Sequence, residues 1–150
     1  MALALRQYQQ ELVDSVEGYL WNDGGNSILM QLPTGGGKTY TAASIYLNLF
    51  KQGGTGGIFV HRIEVVKQLF KAFTNLGIPT GVIAPGYAAQ RHLPMQVGSI
   101  QAYNRREKYN FDLLGIDEAH HASAKTYTDI RSCHSASKYM GITATPYRLK

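Results

Sequence analysis

A chain of 150 residues is long enough to bury the core of one globular domain and short for two. With 44% hydrophobic and 17% charged residues it lacks the composition of a disordered segment, and its single cysteine, Cys133, supplies neither an internal disulfide nor a zinc-finger set. Fifteen Lys plus Arg against ten Asp plus Glu leave a net charge of +5, which favours a polyanionic partner without requiring one.

The opening apolar residues meet Arg6 before reaching the length of a signal-peptide core, and no stretch approaches the roughly 18 apolar residues of a membrane span. A soluble, cytoplasmic protein in a reducing compartment is therefore expected, with no membrane partner. From Arg6 to Leu20 the apolar residues Leu12, Val16 and Leu20 fall at helical spacing, and Asn22 to Asn26 breaks the pattern. Ser27 to Leu32 reads as a buried strand ending at Pro33 and three glycines. Lys38 to Lys51 returns to helical spacing through Ala42, Ile45, Tyr46 and Leu49. Gly53 to Gly57 reads as a turn before the strand Ile58-Phe59-Val60.

A helix around Val65, Val66, Leu69, Phe70 and Phe73 follows, closed near Gly77 and Pro79. Further strands are expected at Val82-Ile83, Gln96 to Ile100, Phe111 to Ile116 and Tyr139 to Thr143. No internal repeat, low-complexity tract or linker interrupts this order. Strands alternating with helices predict an α/β fold with a parallel sheet and helices on both faces, because parallel neighbours need crossover connections.

The strongest local signal is Thr34-Gly35-Gly36-Gly37-Lys38-Thr39 between a predicted strand and a predicted helix. Glycines there let backbone N–H groups surround an anion, and the helix adds the positive end of its dipole. Lys38 suits the β- and γ-phosphates, and the Thr39 hydroxyl suits Mg²⁺. Leu32 stands where the G-x-x-x-x-G-K-[ST] pattern has its first glycine, and a glycine-rich turn with a chance Gly-Lys-Thr is the alternative. Asp117-Glu118 ends a predicted strand in two carboxylates, one to hold Mg²⁺ and one to orient an attacking water. Taken alone, that pair also reads as a solvated helix start that complements the dipole.

The phosphate loop, then Asp117-Glu118-Ala119-His120-His121, then Gly141-Ile142-Thr143-Ala144-Thr145-Pro146-Tyr147-Arg148 resemble, in this order, the first RecA-like motor domain of a superfamily 2 helicase. The Asp-Glu-Ala-His-His form and the Thr-Ala-Thr-Pro-Tyr-Arg ending are similar to the DNA-repair and transcription helicase branch, related to restriction translocases. The resemblance implies a RecA-like P-loop NTPase that uses ATP and Mg²⁺ and acts on DNA or RNA, single-stranded in the first instance. It implies that Lys38, Asp117 and Glu118 are catalytic and that Thr39 and Asp117 hold Mg²⁺. By similarity to an adenine-recognition motif, Leu5-Arg6-Gln7-Tyr8-Gln9 implies that Arg6 and Gln9 join Thr34, Gly35, Gly36, Gly37, Lys38 and Thr39 in the nucleotide site. A glutamine amide offers the donor and acceptor that adenine's edge needs. Without the resemblance, both would be ordinary exposed helix residues.

Val60 to Gln68 and Gly98 to Tyr103 resemble two strand-end motifs of the nucleic-acid track, which nominates Arg62 and Gln101 as contacts. Arg105, Arg106 and Lys108 either extend that basic face or form a solvated helix surface. Thr143 and Thr145 correspond to the family's coupling motif, with His120 bridging toward them. His120, His121, Cys133 and His134 are all metal-competent, but their spacing matches no standard zinc pattern.

The resemblance runs from Leu5 to Arg148 and covers only the first of the family's two motor domains. It implies a second RecA-like domain, in cis or in trans, that supplies an arginine finger worth about 10³ to 10⁵ in rate. The chain alone is then expected to bind nucleotide, hydrolyse it poorly and not translocate. A non-catalytic nucleotide- or nucleic-acid-binding regulatory module derived from a helicase is the competing reading. A small-molecule phosphoryl-transfer enzyme on the same loop leaves Gln9 and the Thr-Ala-Thr-Pro segment unaccounted for.

Overall fold

The computed structural model describes residues 5–31, 38–106, 108–117, 130 and 132–143, with only the backbone described for Gln31, Lys38 and Thr143. Helix α1 (Gln7–Glu17) continues into a π-helical turn, Gly18–Asn22. The chain then runs through β1 (Ser27–Gln31), α2 (Lys38–Lys51), β2 (Gly56–Val60), α3 (Ile63–Asn75), β3 (Thr80–Ile83) and β4 (Met95–Ser99). The short helix α4 (Ile100–Asn104), β5 (Leu113–Asp117) and β6 (Lys138–Thr143) complete it. No helix among the described residues is long and apolar enough to cross a membrane.

The six strands form one sheet in the order β1-β6-β5-β2-β4-β3, and every pairing is parallel. The chain steps from β1 past two empty positions to β2, and β5 and β6 later fill that gap. The carboxyl ends of β1 and β5 thus stand two strand spacings apart, about 10 Å, with β6 between them.

Side chains alternate across the sheet and build two cores. On one face Ile58, Val60, Leu113, Met140 and Ile142 pack under α1, α2 and α3 through Val16, Ile45, Tyr46, Leu69 and Phe73. On the other, Phe59, Leu114, Ile116 and Tyr139 meet Ile100, Tyr103, Tyr109 and Phe111. Helices therefore lie on both faces, as the alternating pattern predicts, although α4 has only five residues.

Several boundaries shift by one to three residues, and β1 is an edge strand with Leu29 exposed rather than a buried one. At two places the kind of element differs from the sequence reading. Gly56 and Gly57 belong to β2 rather than to a turn, paired with Met95 and Gln96 of β4 and with Leu113 and Leu114 of β5. A Cβ on Gly56 would stand 2.6 Å from the Tyr46 ring and one on Gly57 2.6 Å from the Phe111 ring. The glycines make room for an aromatic on each face. Ile100, expected to end a strand, opens α4 instead, because Ser99 caps it by accepting a hydrogen bond from Ala102 N–H at 3.0 Å.

Candidate nucleotide site and strand-binding edge

Strand β1 ends and α2 begins at the carboxyl end of the sheet, where α/β folds place ligands. Lys38 is the first residue of α2, and Thr39 sits half-buried in its first turn. Two turns further on, Tyr46 is fully buried and donates its hydroxyl to the Gly57 carbonyl at 2.8 Å. Its ring crosses β2 at Gly56, and its hydroxyl lies where a Cβ on Gly115 of β5 would be. Burial pushes the Tyr46 phenol far above its ordinary value and keeps it a neutral donor. This contact fixes α2, and so Thr39, against the strand that ends at Asp117.

Asp117 is two residues beyond Gly115, so alternation turns it to the same face as α2. Thr39 and Asp117 line one narrow hollow together with Ala42, Ile58, Val60, Val65, Leu69 and Ile142. Among the described residues, these two half-buried oxygen-bearing side chains are the only polar members of an otherwise apolar lining. A hydroxyl and a carboxylate are the hard oxygen donors that Mg²⁺ prefers, so this pair fits the ion. Thr34, Gly35, Gly36, Gly37, Glu118, His120 and Thr145 lie outside the described residues, as do the side chains of Lys38 and Thr143. The Thr143 backbone ends β6, paired with Gln31 at the end of β1.

Arg6 is the exposed N-cap of α1, whereas Gln9, which would be exposed in an isolated helix, is only 6% exposed. Gln9 Oε1 accepts the Arg6 backbone N–H at 2.9 Å, half of a capping box. The reciprocal half cannot form, because a guanidinium has no acceptor. One acceptor site of the Gln9 amide is thus committed to the helix start, which holds the residue in a fixed pose.

Arg62 and Gln101 come together at the same edge. Val60 and Ser99 are register partners on the neighbouring strands β2 and β4, and each nominated residue lies two positions beyond its partner. Both are exposed. Arg62 is the N-cap of α3 and makes no side-chain cap hydrogen bond. Gln101 Oε1 accepts from the Ser99 hydroxyl at 3.3 Å. Asp117 belongs to the same level, since β5 pairs with β2 up to Phe59 and Ile116. The strand candidates and the metal candidate therefore share one rim.

Lys108 does not extend the basic face. Its ammonium turns inward and donates to the carbonyls of Tyr103, Asn104 and Arg106 at 3.0, 3.1 and 2.8 Å, neutralising the carboxyl end of α4. Arg106 donates to the Ala84 carbonyl at 3.3 Å, and Arg105 stays exposed. Of the four metal-competent residues, His120 and His121 lie outside the described residues; Cys133 is exposed, and His134 is buried with Nε2 and the Tyr103 hydroxyl 2.7 Å apart.

Sequence reasoning named Tyr46, Tyr103 and His134 but missed the positioning contacts that they and Gly115 make. Each acts through a contact between elements distant in sequence. The serine ending β4 is the local signal that marks α4, since a strand-terminal Ser with a partner N–H three residues on is an N-cap.

Residues 2–148 match the family described as Type III restriction enzyme, res subunit. The putative ATP-dependent helicase IRC3 of Saccharomyces cerevisiae is 34% identical over 152 residues, covering 91% of this chain and 22% of that protein. The ATP-dependent DNA helicase mph1 of Aspergillus terreus is 31% identical over 144 residues, covering 81% of this chain and 13% of that protein. The crystal structure of the UvsW helicase from bacteriophage T4 matches with a TM-score of 0.76 at 22% identity, over 95% of this chain and 53% of that one, a likeness of fold. The chain spans about a quarter or less of the length of these curated relatives. With a match running along nearly its whole length and a parallel sheet of the expected kind, the chain belongs to the Type III restriction enzyme res subunit family and has the RecA-like fold of the amino-terminal motor domain of superfamily 2 helicases.

Proposed function

We propose that this chain is the ATP-binding half of a nucleic-acid motor, a helicase or translocase that works when a second RecA-like domain closes on it. The observation that carries the reading is the shared hollow of Thr39 and Asp117, at the end of the sheet where α2 begins directly after the glycine-rich segment of the sequence. Two relatives are described as ATP-dependent helicases, which agrees with nucleotide use. Bound ATP–Mg²⁺ supplies a phosphoanhydride and a cation that neutralises charge on its phosphate oxygens.

The protein's own residues take the remaining tasks. The Thr34 to Gly37 backbone and Lys38 bind phosphate, Thr39 and Asp117 hold the metal, and Glu118 orients the attacking water. Arg6 and Gln9 hold the base, while His120, Thr143 and Thr145 join this site to the strand track. Arg62 and Gln101, side by side on the rim, contact a single strand of DNA or RNA. A cytoplasmic, nucleic-acid-associated location goes with this reading.

Nucleotide binding by the wild-type chain and by Lys38→Ala tests it. A loss of at least tenfold in ATP affinity, about 1.4 kcal/mol, is expected. Equal affinity would remove the phosphate-loop assignment. Glu118→Gln should keep ATP affinity and, once the second domain is supplied, abolish strand-stimulated hydrolysis.

A further inference from the structure

We propose that the Tyr103 hydroxyl and His134 form a positioning link that sets α4, and with it Gln101, on the strand-binding rim, and joins that rim to the segment entering β6. The inference rests on the nucleic-acid reading of Gln101. A helix of five residues is far below the length that is stable by itself, so the pose of Gln101 depends on what holds α4. Ser99 holds its start and Lys108 its end. The side-chain anchor is Tyr103, fully buried beneath the sheet.

The Tyr103 ring stacks on Phe59 with centroids 4.0 Å apart and planes 3° from parallel. Phe59 lies in β2, three residues before Arg62, so both nominated strand contacts take their position from one aromatic pair. The Tyr103 oxygen accepts the Tyr109 backbone N–H at 3.0 Å. The hydroxyl stands 2.7 Å from His134 Nε2, and with the imidazole neutral and its proton on Nδ1 it donates its own proton there. Burial, reinforced by the Lys108 charge, lowers the His134 pKa and favours that neutral form.

His134 belongs to the segment between β5 and β6 and sits four residues before Lys138, where β6 begins. Its carbonyl accepts Ser137 N–H at 2.9 Å, and the Ser137 hydroxyl donates to the Phe111 carbonyl at 2.6 Å. Strand β6 in turn lies between the phosphate-loop strand β1 and the Asp117 strand β5. A displacement of α4 by a bound strand thus has a short, bonded route to the strand that carries Thr143.

The test uses the 150-residue chain and four variants. Tyr103→Phe keeps the stack on Phe59 and removes only the hydroxyl, His134→Leu removes the acceptor, the double variant removes both, and His134→Gln keeps an acceptor. Affinity for a fluorescent oligothymidylate should fall three- to tenfold in Tyr103→Phe and in His134→Leu. The double variant should bind no worse than either alone, and His134→Gln should stay within twofold of wild type. The salt slope should not change, because no phosphate contact is lost. Affinity for a fluorescent ATP analogue should stay within twofold, and the His134 pKa read by NMR should rise in Tyr103→Phe.

Wild-type oligonucleotide affinity in Tyr103→Phe would overturn the link, as would a parallel loss of nucleotide and oligonucleotide binding, which signals misfolding rather than positioning. Failure of His134→Gln to outperform His134→Leu would overturn it too. The underlying reading fails separately, if the wild-type chain shows no salt-sensitive binding and Arg62→Ala and Gln101→Ala change nothing.

Discussion

Asp117 and Thr39 illustrate how little a residue's chemistry means until its face is known. Either alone is an ordinary oxygen donor, and only their placement on one hollow suits the pair to Mg²⁺. Asp117→Asn and Thr39→Ala should each weaken Mg²⁺-dependent ATP binding at least tenfold in a titration with and without the metal, and leave metal-free binding nearly unchanged. His134 carries a different prediction. Burial, and then the charge of Lys108, lower its pKa below the ordinary 6.5, and the Tyr103 hydroxyl and Phe111 ring also face it. As pH falls through about 6.5 the unfolded chain therefore takes up this proton before the folded one does, and stability drops with it. Denaturation in urea at pH 7 and pH 5 should show that drop, and His134→Gln should make it smaller.

Among the elements, the docking of α2 on β2 and β5 decides whether the proposed nucleotide site can form. Tyr46 is the strut, and the glycines beneath it at 56 and 115 are its seat. Gly115→Ala puts a methyl group against the Tyr46 hydroxyl in a close-packed layer, and overpacking of this kind costs about 1 to 3 kcal/mol. Tyr46→Phe leaves the Gly57 carbonyl without its side-chain donor and should cost about 1 kcal/mol. Both values are read from denaturant midpoints. Gly115→Ala should also reduce ATP affinity, because it moves α2 relative to Asp117, whereas a mere loss of stability would leave the folded fraction binding normally. The same logic explains why α4 escapes a periodicity search. Five residues give little more than one turn, and its stability comes from a cap at one end, an ammonium at the other and Tyr103 beneath.

For the whole molecule, the parallel topology brings three separate chain crossings to one rim: Asp117 at the end of β5, Arg62 after β2 and Gln101 after β4. Binding of single-stranded DNA should therefore weaken as salt rises, and Arg62→Ala should lower the slope of log affinity against log salt by roughly 0.7, the share of one phosphate. Addition of the second RecA-like domain should raise hydrolysis by about 10³ or more if that domain brings an arginine finger. Much of this was legible in the sequence. Local chemistry announces itself locally: three glycines before Gly-Lys-Thr's lysine, paired carboxylates after an apolar run and helical spacing in α2 and α3 each depend on neighbours within a few residues. The strand boundaries at Gly56 and Ile100, the inward turn of Lys108, the burial of Gln9 and the Tyr103 to His134 contact were not, because each depends on atoms brought close only when distant segments pack. The sequence by itself determined the alternation of strands and helices, which follows from periodicity, and nominated the residues proposed to bind a nucleotide, from side-chain type and family resemblance. The tertiary structure alone decided that Thr39 meets Asp117 and that Arg62 stands beside Gln101, since strand order and face are set by packing across the sheet and not by adjacency in the chain.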